Sequence, residues 1–251
     1  MEHAREDGRQ PTHAAGGPRR IRRAARIAAV IAGFAALLYS AWVLAPCLNP
    51  EHDAASAYVS ELAAGDQPFG RLFRGFDAAA GLALALAAGV LVARDRGGLR
   101  QRLRRNGPFV MLALFGLATV ADALLPMSCA PTGDPRCALE ERLGLLPWTH
   151  QLHSVSSSLA GMFALVALGW SLLRVWRRHR RGEPESGPLP LLIAGIALAL
   201  VHTVALAYTL LEVAGLGVGG LGAAQRISLA ALALWWVLLF LSWRRGAALS
   251  T

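Results

Sequence analysis

Apolar residues fall in long blocks along this chain, and polar residues gather between them. The first block runs from Ile27 to Leu48 without a charge, and others cover 75–93, 108–125, 148–173, 189–213 and 224–243. A helix rises 1.5 Å per residue, so about 20 apolar residues cross the roughly 30 Å hydrocarbon layer of a bilayer. Within that layer every backbone N–H and C=O must find a partner in its own segment, which a helix supplies. The pattern therefore predicts an all-α fold, a polytopic transmembrane helix bundle with six spans.

The segments between blocks set the domain limits. Residues 1–18 are polar, rich in Gly and Pro and without apolar periodicity, and read as a disordered cytoplasmic tail. Residues 19–245 form the membrane domain, and 246–251 a short second tail. In the first loop a short interfacial helix is expected before the turn Gly65-Asp-Gln-Pro68. Arg19-Arg-Ile-Arg-Arg ahead of the first block also suits a signal peptide, but the block is long for one. Leu44-Ala-Pro-Cys47 is similar to a lipoprotein processing site, except that Pro46 stands where a small residue should precede the Cys. The first block is therefore read as a membrane anchor.

Composition agrees with a membrane protein: 55% of residues are apolar, 16% are charged, and the mean hydropathy is +0.43. The net charge of +9 raises nucleic acid as a partner, but the 25 basic residues are all Arg and cluster at the ends of apolar blocks. Membrane lipid is the partner this placement implies, with no nucleic acid. With six spans, 20 of the 25 Arg fall on one side. The positive-inside rule then puts both termini in the cytoplasm of a multi-pass cell-membrane protein. Nothing in the sequence sets an oligomeric state.

Ionisable residues inside a bilayer cost at least ~2.5 kcal/mol each on insertion scales, so they pair or mark a site. Asp77 opens the second span, Asp122 closes the third, and His150, His153, Ser154 and Ser157 share one face of the fourth. His202 and Glu212 lie late in the fifth span, Gln225 and Arg226 begin the sixth, and Arg74 precedes Asp77. Alternating helix direction brings all of them to the outer layer, which predicts one polar pocket opening outward. Taken singly, Asp77 and Arg226 also suit interfacial anchors, His202 a packing residue and the serines helix contacts. Charge balance predicts that Arg226 pairs with Asp122 or Glu212. The spacing of His150 and His153 also admits a metal such as zinc, with Asp122 or His202 completing the shell, although the adjacent Glu of the metalloprotease helix is missing. No cofactor is required.

Cys129 and Cys137 share an outer loop and are expected to form a disulfide closing a loop over the pocket mouth, with free thiols or pairing to Cys47 as alternatives. Several short features occur together: Ser60-Glu61-Leu62, then Arg74 and Asp77, Asp122 before the Cys129 to Cys137 loop, His150 and His153, and Gln225-Arg226 before Trp235. In these the chain resembles the bacterial domain-of-unknown-function 998 membrane proteins from the first span to the sixth. The resemblance implies a six-helix integral membrane protein and supplies no reaction. Two functions follow from the residues: an accessory protein binding a small polar ligand or lipid headgroup, or an intramembrane metal-dependent hydrolase using the His/Asp cluster. A proton-coupled carrier is disfavoured because no ionisable residue continues the path through the inner half.

Overall fold

The computed structural model describes residues 17–95, 97–182, 189–214, 216 and 219–249, with side chains from 23 onward except at 191, 212, 213 and 243–249. No strand occurs among them. The helices are α1 (Gly17–Tyr39), α2 (Ala45–Leu48), α3 (Gly70–Ala93), α4 (Leu99–Leu124), α5 (Pro135–Arg142), α6 (Trp148–Arg180), α7 (Leu189–Val213) and α8 (Leu221–Leu249). Six of these segments are long and apolar enough to cross a membrane, the first counted through to Leu48. The protein is an integral, multi-pass membrane protein.

Several helix ends differ from the apolar blocks. The block 27–48 is not one helix: α1 ends at Tyr39, a 3-10 turn covers Ala41–Leu44, and α2 follows. Ser40 turns its hydroxyl back onto the Ala36 carbonyl at 2.9 Å, and Pro46 lies at the start of α2. Both are local competitors of a continuous helical ladder. In α4, helix begins nine residues ahead of the block at 108, with a kink at Asn106 (φ −118°, ψ 17°) just before Pro108. The Asn106 amide donates to Asp95 at 3.1 Å. α6 continues to Arg180, where the cations of its last turn complement the helix dipole. Helix also continues through 246–249, which the sequence assigns to a tail, whereas residues 1–16 of the other expected tail lie outside the described residues.

The spans form a ring. α1 lies between α3 and α8, α4 joins α3 to α6, α7 packs on α8, and the α6–α7 seam is the thinnest. Small residues permit the close approaches. Ala25, Ala28, Ala32 and Ala35 form a buried stripe on α1. Where α3 crosses α4, a Cβ on Gly81 would overlap the Gly116 carbonyl oxygen, and a Cβ on Gly116 would overlap that of Gly81.

One end of the ring, the capped end, carries loops 49–69 and 125–147. The other, the arginine end, carries the α3–α4 link and the Arg-rich end of α6. The cap is held largely by backbone. Gly65 N–H donates to the Met127 carbonyl at 2.9 Å, Ala223 N–H to Ala55 at 3.0 Å, and Ala130 N–H to the Asp66 carboxylate at 3.1 Å. The expected short helix before the Gly65 turn is a 3-10 helix, Val59–Ala63. Its Glu61 is 1% exposed and accepts from Thr132 Oγ1 at 2.6 Å, Thr132 N–H at 3.3 Å and Tyr58 N–H at 3.2 Å.

Candidate functional site

Beneath the cap, all six spans line one cavity of about 200 Å³. Drug-sized ligand sites occupy roughly 300–1,000 Å³, so this one suits something small. Asp77 comes from α3, Thr119 and Asp122 from α4, Ser157 from α6, His202 and Thr209 from α7, and Gln225 and Ser228 from α8. Tyr39, Trp42, Phe73 and Phe115 supply aromatic wall, and Val59, Ser60 and Leu62 of the cap close it above. Tyr39 packs edge-on to Phe115 with ring centroids 5.7 Å apart, and both rest on Trp236.

The two acids differ. Asp122 Oδ1 accepts from the Ser156 hydroxyl and, at 2.8 Å, from Ser157, and His153 Nδ1 lies 3.3 Å away. That nitrogen is also 3.0 Å from the Leu125 carbonyl, which can only accept, so Nδ1 carries a proton. Among the described residues Asp77 has no hydrogen bond or ion pair, and the charged neighbour that acts on it is Asp122. His202 is 3% exposed, with Nδ1 2.8 Å from Ser228 Oγ and 3.2 Å from the Ser228 carbonyl, and its Nε2 has no partner among the described residues. Trp42 Nε1 is likewise buried and unpartnered.

Asp77, Asp122, His202 and Gln225 thus line the cavity, as does Ser157 of the expected α6 face. Gln225 also accepts from Val59 N–H at 2.8 Å, tying α8 to the cap. His153 lies behind Asp122 rather than on the wall. Arg226 corrects the charge-balance expectation: it does not pair with Asp122. Its Nη1 donates to the carbonyls of Ala54 at 2.7 Å, Gly222 at 3.0 Å and Ala57 at 3.2 Å, and so clamps the first loop to α8. Three carbonyl dipoles hold Nη1 there, while Nη2 is buried with no hydrogen-bond partner among the described residues. The Glu212 side chain lies outside the described residues. Arg74 bonds the Ala63 carbonyl at 2.6 Å and is a second clamp rather than a cavity residue. Ser154 is exposed on the far side of α6, and its carbonyl accepts from Ser158.

His150 is also displaced from the pocket. Ser128 N–H donates to its Nδ1 at 3.0 Å, which leaves the ring proton on Nε2, 3.1 Å from Glu141. Ser128 Oγ is 3.0 Å from the same Nδ1. Hydroxyl, imidazole and carboxylate here follow the order of a serine-hydrolase relay. The nitrogen facing the hydroxyl is occupied by the amide, however, and His150 is 1% exposed, so the set staples α5 and loop 125–134 to α6. The three histidines occupy three separate places, and among the described residues no three His, Cys, Asp or Glu side chains converge. The set expected for zinc is not brought together.

Cys129 and Cys137 form a disulfide with Cα atoms 6.2 Å apart, and Cys47 is free and exposed. The bond lies one layer above the mouth: Val59, Ser60 and Leu62 line the cavity directly, and the disulfide loop holds their segment through Thr132 and Glu61. The aromatic wall, Trp42 above all, was missed in the sequence because one aromatic in an apolar block resembles another. Thr209 was signalled by sharing a helical face with His202.

No curated protein and no solved structure matches this chain. A family model described as "Protein of unknown function (DUF998)" matches residues 30–242. Most of the membrane domain lies within that match, and the chain belongs to the DUF998 family.

Proposed function

We propose that this protein resides in the cell membrane with both termini in the cytoplasm, and that its cavity binds a small polar ligand or a lipid headgroup from the outer side. The observation that carries the reading is His202 Nε2, buried and without a partner on the cavity wall. A buried polar atom left unsatisfied costs about 1–3 kcal/mol, which a ligand hydrogen bond would offset. The Asp77 carboxylate on the same cavity wall, without a hydrogen bond or ion pair among the described residues, supports the same reading, and the Arg distribution supports the orientation.

A thermal-shift assay on detergent-purified protein tests the pocket. The probes are glycerol, glycerol phosphate, ethanolamine and choline, applied to wild type and to Leu206→Trp, which fills the cavity from its wall. A ligand present at 100 times its Kd stabilises by about 2.7 kcal/mol. At least one probe is expected to raise the Tm of wild type and to leave the Trp variant unmoved. Equal response of both proteins, or no response to any probe, overturns the reading.

A further inference from the structure

The polar wall of the cavity is made for one sign of charge. Asp77 and Asp122 both line it, near enough for their charges to act on each other, and no Arg side chain is among the described lining residues. Of the candidate cations of the sequence, Arg74 and Arg226 lie off the cavity wall and donate through Nη1 to backbone carbonyls of the cap. Asp122 is supported by Ser156, Ser157 and His153, while Asp77 is bare. Tyr39, Trp42, Phe73 and Phe115 line the same cavity as the acids. An acid beside aromatic faces suits an organic ammonium: the carboxylate takes the charge, and the ring quadrupoles attract the alkylated cation. A hydrated metal ion would gain nothing from the rings.

The second and independent observation is His202. With its Nδ1 proton directed at the Ser228 carbonyl, Nε2 of this wall residue keeps an unpartnered lone pair, which an N–H or O–H donor on the ligand would meet. The wall thus combines acceptors at Asp77 and His202 with donors at Trp42 Nε1, the Gln225 amide and the Tyr39 hydroxyl. The cavity volume of about 200 Å³ restricts the ligand to a headgroup-sized molecule.

We infer that the cavity takes a small organic ammonium, free or as the headgroup of a lipid, held by Asp77 and by the aromatic wall. This inference rests on the pocket reading above. Isothermal titration of the detergent-purified protein with choline and with its uncharged isostere 3,3-dimethylbutan-1-ol tests it. Choline is expected to bind at least tenfold more tightly than the isostere, and Asp77→Asn to abolish that preference while isostere binding persists. The persisting signal shows that the variant is folded. Equal binding of the two by wild type overturns the ammonium inference and keeps the pocket. Binding of neither compound, with neither ethanolamine nor an ammonium lipid retained, overturns both.

Native mass spectrometry separates the sources. Retention of phosphatidylethanolamine over phosphatidylglycerol, lost in Asp77→Asn, assigns the ammonium to a lipid. Choline binding to delipidated protein without such retention assigns it to a free cation. A preference for phosphatidylglycerol overturns the inference.

Discussion

The two ends of this bundle are built from the same helices and differ in what fills the space between them. At the arginine end Leu84, Ala87, Ala88 and Leu91 of α3 meet Phe109 and Leu112 of α4, with Ala167, Leu168 and Phe240 against them, all buried. At the capped end the same helices diverge around Asp77, Asp122 and His202, and loop backbone closes the top. The first arrangement needs only small and apolar side chains, since lipid-embedded helices associate chiefly by packing. The second keeps unpaired polar atoms that packing would expel. A bundle able to close at one end keeps a cavity at the other, and that cavity carries the proposed binding function.

The division between the ends is set near Gly81 and Gly116, where α3 and α4 touch backbone to backbone. Gly116→Leu is the strongest way to break it. The added side chain meets the Gly81 carbonyl and the Ala85 backbone, neither of which can swing aside, and overpacking alone costs roughly 1–3 kcal/mol. The expected result is loss of most folded, monodisperse protein in detergent. Gly89→Leu on the same α3, where a Cβ meets nothing within 4 Å, is expected to be nearly neutral. Equal damage from both variants would show that the close crossing does not set the helix spacing.

Next in size is the disulfide. Closing an eight-residue separation lowers the entropy of the unfolded chain by an amount worth about 2.5 kcal/mol. Cys129→Ser and Cys137→Ser are expected to lose similar stability, with no further loss in the double variant, since each removes the same bond. Hydrogen exchange should speed up in loops 49–69 and 125–134 and remain unchanged around Leu112. Loss of protection spread evenly over both ends would erase the distinction between a stapled cap and a self-sufficient core.

The spans were legible in the sequence because charge is scarce inside them, and for the same reason Asp77, Asp122 and His202 were legible as wall residues. The cap was not. Arg226 suggested a carboxylate partner because side chains are what a sequence displays, whereas its partners among the described residues are the carbonyls of Ala54, Ala57 and Gly222, which any residue would provide. The His150 and His153 spacing put both rings on one face of α6. They diverge nonetheless, because one meets Glu141 of α5 and the other Asp122 of α4. The break at Ser40 was hidden because a run without charge carries no mark of where its helix stops.

The smallest expected effect tests whether the cap titrates independently of the packed end. Burial pushes the Glu61 carboxyl above the ordinary carboxylate range, the hydrogen bonds from Thr132 and Tyr58 pull it back, and the Glu141 charge pushes it up again. The folded protein therefore holds this proton more tightly than the unfolded chain. The resulting stability is fully present below the unfolded pKa, declines as pH rises between the unfolded and folded values, and is lost above the folded one. Glu61→Gln keeps a carbonyl that can accept from Thr132 and removes the titration. As pH is lowered from neutrality into the carboxylate range, wild type should gain stability relative to Glu61→Gln in denaturant melts of the detergent-solubilised protein. Opposing contributions at Glu61 keep the gain small. A stability difference that stays constant with pH, or that moves in favour of the Gln variant on acidification, would show that Glu61 is held as a carboxylate and that the cap is tied by charge rather than by burial.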